Sequence, residues 1–207
     1  RIVTMLGGDE DGLNDEFVDV VEIASAPEGH VSVLGVGWNF VSGPFNASVA
    51  KENLVVNVDG VYFDWGDAVS GGLVSEFLFG WDSGGQSYVF SDGLFAGDGV
   101  WVFSFVECEL RAPVFSVNFD GLISSVGSGW NMVGLPWNVP VGVSDVLVVC
   151  DGVEYSWSDA VNASVVSNIL FGWDCVGQSY VLSDGFGIGR GYWLYGFDEC
   201  LLTYPLD

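Results

Sequence analysis

Basic side chains are almost missing from this chain. Among 207 residues only Arg1, Lys51, Arg111 and Arg190 carry a fixed positive charge, against 28 acids. A net charge of −24 argues against nucleic acid and anionic membrane surfaces as partners, because both would repel it. It favours divalent cations, basic partners or a salty medium, and copies of the chain should repel one another unless cations bridge them. Histidine occurs once, as His30, and no G-x-S-x-G elbow accompanies it, so a Ser-His-Asp centre has little to build on. A lone histidine reads as a surface or packing residue. Walker A, His-Glu-x-x-His and Cys-x-x-Cys patterns are also absent. Acids are so frequent that a pair suited to glycoside hydrolysis would carry no information. The chain therefore reads as non-enzymatic. No apolar run approaches the roughly 18–20 residues that span a bilayer as a helix. The first residue, Arg1, is not Met, which suggests a processed form that has lost a signal peptide.

What is present suits strands and tight turns. Half the residues are hydrophobic, enough for a sizeable core, and glycine numbers 30. The most informative feature is internal. Shifted by 92 positions, the spacing of Trp38 and Trp130, the sequence also matches Trp65 with Trp157, Gln86 with Gln178, and Cys108 with Cys200. No gap is needed, which predicts two copies of one unit over 37–111 and 129–207. Residues 1–36 form an acidic N-terminal segment with a first strand, and 112–128 read as a connector of strand and turn. Each copy predicts a strand stopped by proline ("GWNFVSGP", "GWNMVGLP"), then a hairpin around Asp59-Gly60 or Asp151-Gly152. A short helix follows ("WGDAVS", "WSDAVN"), where Ser156 and Asp159 have capping-box spacing. A second hairpin and a final strand ("GVWVFSF", "GYWLYGF") complete the pattern. The expected fold is mainly β: two tandem copies of a small β-sandwich or open-barrel-like unit, each with one short helix.

The second hairpin carries the stretch most similar between copies, "LFGWDSGGQSYVFSDG" and "LFGWDCVGQSYVLSDG". Its Trp81, Asp82 and Gln86, with Trp173, Asp174 and Gln178, have the chemistry of a sugar platform: an indole to stack, an acid and an amide for hydroxyls. The simpler reading is that the tryptophans pack while Asp and Gly shape the turn. That reading is preferred, because the copies share apolar and glycine positions as much as polar ones. The combination "GWN", "W.DAV", "LFGWD..GQSYV.SDG", "G.G.W" and "EC.L" resembles tandem repeats of secreted and cell-surface proteins of methanogenic archaea. The resemblance covers both copies and implies an envelope protein, such as a subunit of a sheath or surface layer, with no catalytic residues.

Three further expectations concern covalent and metal chemistry. In "GGDEDGLNDE" the acids Asp9, Asp11 and Asp15, with Asn14 marginal, resemble part of an extracellular calcium loop, although a solvated acidic run explains them as well. Cys150 and Cys175 occur only in the second copy, which suggests that they bond to each other. Cys108 and Cys200, at equivalent places, would then pair within the chain or between subunits. Asn46 and Asn162 begin glycosylation sequons, at non-equivalent positions. Together these readings predict a structural protein outside the cell, at its surface, that assembles with copies of itself through strand edges, with calcium as the one expected cofactor. The alternative is an extracellular carbohydrate-binding module with one Trp/Asp/Gln site per copy.

Overall fold

The computed structural model describes residues 29–45, 47–113 and 123–204. They form two similar β units, each with one short helix.

The first unit runs β1 (Gly29–Leu34), β2 (Gly37–Ser42), β3 (Val49–Ala50), β4 (Val55–Val58), β5 (Val61–Asp64), α1 (Trp65–Ser70), β6 (Val74–Asp82), β7 (Ser87–Ser91), β8 (Gly93–Leu94), β9 (Gly99–Ser104) and β10 (Cys108–Ala112). The second repeats this order as β11 (Ile123–Val126), β12 (Gly129–Gly134), β13 (Val141–Gly142), β14 (Leu147–Cys150), β15 (Val153–Ser156), α2 (Trp157–Asn162), β16 (Val166–Asp174), β17 (Ser179–Ser183), β18 (Gly185–Phe186), β19 (Gly191–Gly196) and β20 (Cys200–Thr203). The structural repeat starts ahead of the sequence repeat: β1 and β11 pair with β10 and β20, the last strands of their own units.

Each unit is a sandwich of two four-stranded antiparallel sheets. In the first, β1-β10-β4-β5 faces β2-β9-β6-β7, and in the second β11-β20-β14-β15 faces β12-β19-β16-β17. Short pairs, β3 with β8 and β13 with β18, stand beside them. Local chemistry explains the turns. Asp59-Gly60 and Asp151-Gly152 make two-residue loops with φ of 51° and 87°, and 49° and 76°, the left-handed pair that matches strand twist. The helices are capped by Asp64 and Ser156, whose side chains accept from the amides of Asp67 and Asp159.

Alternation along the strands sorts two kinds of apolar residue. In β9, Val100 and Val102 point into the core of the first unit, with Val31, Val41, Leu78 and Leu110. Trp101, between them, points the other way and is still buried. It belongs to a third core made of Phe40, Trp101, Met132 and Trp193, which draws on both units. Phe40 stacks on Trp101 at 4.4 Å and lies 6.0 Å from Trp193. The two units are therefore packed together through an aromatic core of their own.

The cysteine expectations are corrected here. All four are free thiols, more than 4.5 Å apart. Cys150 ends β14 with its side chain in the core of the second unit, where Cys200 also lies. Cys175 sits in the loop after β16 and packs against Gly35 of the first unit, its Sγ 3.4 Å from where a Gly35 Cβ would be. Cys108 is buried in the first unit beside Ser104. The two hairpins of the second copy belong to different sheets, so their cysteines do not meet.

Candidate functional site

The residues singled out in the doubled stretch meet at the junction of the units. β6 and β7 are joined by a four-residue loop after Asp82, and its last residue, Gln86, takes φ 50°. Asp82 stabilises this loop: its Oδ1 accepts from the Gly84 amide at 3.0 Å. The same holds in β16–β17, where Gln178 has φ 48° and Asp174 accepts from the Val176 amide at 2.9 Å. Both carboxylates shape their own turns.

The glutamines reach across to the opposite unit. Gln178 accepts from the Trp38 amide at 2.8 Å and donates to the Trp38 carbonyl at 3.0 Å. Gln86 makes the equivalent pair with Trp130, at 2.8 and 3.1 Å. Trp38 lies on β2 and Trp130 on β12, each at the edge of its sheet. A carboxamide presents one donor and one acceptor side by side, as a neighbouring strand would, so each glutamine caps an exposed strand edge. The indoles add to the same points: Trp173 Nε1 donates to the Trp38 carbonyl at 2.8 Å and Trp81 Nε1 to the Trp130 carbonyl at 2.7 Å.

Further along the same edges, Ser42 donates its amide to the Gly189 carbonyl at 3.1 Å, and Gly134 to the Gly97 carbonyl at 2.8 Å. The two halves of the joint are therefore related by a pseudo-twofold exchange. The "GWN" motif is the receiving half. Gly37 and Gly129 have φ of +105° and +99°, and a Cβ on either would fall within 2.6 Å of the opposing glutamine side chain. Asn39 ties the preceding turn by accepting from the Gly35 amide and donating to the Gly35 and Gly37 carbonyls, and Asn131 does the same with Gly127 and Gly129.

Two aromatic grooves flank this joint. One, of about 340 Å³, is lined by Trp81, Tyr88, Trp130, Phe171, Tyr180 and Trp193. The other, of about 380 Å³, is lined by the equivalent residues with the units exchanged, so Tyr88 and Tyr180 border both. Burial, then the neighbouring Tyr180, push the Tyr88 phenol above its ordinary range. Trp101 lies close enough to moderate that shift, yet its Nε1 and that of Trp193 are buried without a hydrogen bond of acceptable geometry.

The remaining expected sites are dispersed. Asp9, Asp11 and Asp15 lie outside the described residues, as does Asn46. Asn162 is exposed at the end of α2. Among the described residues no three His, Cys, Asp or Glu side chains gather as a metal site would need, and no helix is long and apolar enough to cross a membrane. With Trp81, Asp82 and Gln86 engaged in the joint and its turn, the polar groups first read as sugar ligands already have partners. The grooves went unread in the sequence because each needs rings from both copies. Their sign was Tyr88 and Tyr180, alike in both copies on strands that otherwise face water. No family model, no curated protein and no solved structure matches the chain.

Proposed function

We propose that this chain is a non-catalytic structural module of the cell surface that joins to copies of itself through its outer strands β7 and β17. One observation carries the reading: each is the last strand of its sheet, and each exposes its first four residues. Their sequences, SYVFS and SYVLS, contain no charge and no proline, the usual means of blocking a strand edge. Phe90 is 70% exposed and Leu182 74%. Strand addition there would continue the ladder through main-chain hydrogen bonds, with exposed side chains packing across the new pair. The joint covers the edges of β2 and β12, so growth would use these outer strands instead. The resemblance of the repeat to secreted surface proteins points the same way.

The charge of −24 opposes association, so salt or divalent cations should promote it by screening. Sedimentation velocity at rising protein concentration, with and without calcium or magnesium, is the direct test. The wild type is expected to form higher oligomers once screened, and Phe90→Lys with Leu182→Lys to remain monomeric at unchanged melting temperature. A wild-type chain that stays monomeric under every condition would refute the reading.

A further inference from the structure

The two grooves have the geometry of boxes. Trp193, 7% exposed, forms the base of one. Trp81, Trp130 and Tyr88 stand perpendicular to it, at 87°, 86° and 82°, with ring centres 4.8, 6.2 and 6.1 Å away. Trp101, 6% exposed, forms the base of the other. There Trp173, Trp38 and Tyr180 stand at 88°, 86° and 81°, at 4.9, 6.4 and 6.3 Å. Among the described residues no lysine, arginine or histidine lines either groove.

We propose that each groove is an aromatic cage for a quaternary ammonium ion. An aromatic ring is negative over its face, and rings at right angles let one cation meet several faces at once. The methyl groups of a quaternary ammonium ion suit an apolar lining, and the ion needs no hydrogen-bond acceptor. The net charge of −24 draws small cations toward the surface. A neutral sugar fits less well, because its hydroxyls need directional partners and the nearby Trp81, Trp173, Gln86 and Gln178 groups are bound to the opposing backbone. Choline, with its trimethylammonium head, is a small quaternary ammonium ion.

The test is calorimetric titration of the full chain with choline at low ionic strength, beside its neutral isostere in which carbon replaces nitrogen. The cages are expected to bind two cholines per chain, at least about tenfold more tightly than the isostere. Trp38→Leu should remove one site and Trp130→Leu the other, because each wall belongs to a single groove. Melting temperatures identify any variant that has lost its fold. For such a variant, the indole N–H resonances of wild-type Trp101 and Trp193 replace the mutational arm, and both should shift on saturation with choline. Equal binding of choline and isostere, no choline binding by the folded wild type, or displacement of choline by a neutral oligosaccharide would overturn the proposal.

Discussion

Gly37 and Gln178 are 141 residues apart, and their contact defines the residue scale of this molecule. A side chain at Gly37 would meet Gln178 Oε1 at 2.5 Å in a backbone region, φ +105°, that disfavours any residue but glycine. Gly37→Ala should therefore destabilise through both strain and a lost hydrogen-bond pair. Gln178→Ala removes the partner of the Trp38 amide at a solvent-accessible place, a loss of about 0.5–1.5 kcal/mol. Thermal melts should show Gln86→Ala as an equal and nearly additive loss, since the two contacts share no residue.

Asp98 occupies the place that Arg190 holds in the second copy, and it bridges to Val133 across the joint. Desolvation raises its carboxyl pKa from 3.8 to about 6. The folded state then holds this proton more firmly than the unfolded state, so the group favours folding at low pH, and that contribution is lost as pH rises from about 4 through 6. Asp98→Asn should raise the melting temperature above pH 6 relative to wild type and change it little near pH 4. An unchanged difference between the two proteins across that range would show that Asp98 is not desolvated. Thiol chemistry is equally specific. Burial pushes Cys200 up to about 12 and also raises Cys108, whereas Cys175 lies in a partly open loop. Timed alkylation at mildly alkaline pH should label Cys175 first, with Cys108, Cys150 and Cys200 reacting only on unfolding.

At the scale of elements, whatever depends on near neighbours was legible in the sequence. Asp59-Gly60, Asp151-Gly152 and the Ser156 cap act within three or four residues, and the structure has each where the pattern puts it. The mainly β character and the one short helix per copy were legible for the same reason. The strands β1 and β11 were harder to place, because the copies diverge there although their pairing is the same. The partners of Trp81 and Gln86 were not legible, since the amide lies 44 residues from its acceptor and its counterpart 140. A sign was present all the same. "GWN" and "GQ" both recur in both copies, as complementary halves of one reciprocal contact must. The cysteine pairing failed because occurring together in one copy does not bring Cys150 and Cys175 together in space, and their hairpins lie in different sheets. The loop carrying Cys175 instead lies against Gly35 of the other unit. In the proposed assembly β7 and β17 are the contact strands, and lysines at Phe90 and Leu182 should abolish association without unfolding either sandwich.

At the scale of the whole molecule, the two units are bound by a core that neither can complete alone. A separated first unit would expose Phe40 and Trp101, and a separated second unit Met132 and Trp193. Produced as two chains, the units should therefore recombine into a one-to-one complex. The joint predicts that the intact chain unfolds as a single cooperative body despite its two sandwiches. Differential scanning calorimetry of the wild type and of Gln86→Ala with Gln178→Ala tests this most directly. The expected result is one transition for the wild type, with calorimetric and van't Hoff enthalpies equal, and a lower or split transition for the variant. Two independent transitions in the wild type, or a variant that melts unchanged, would contradict it.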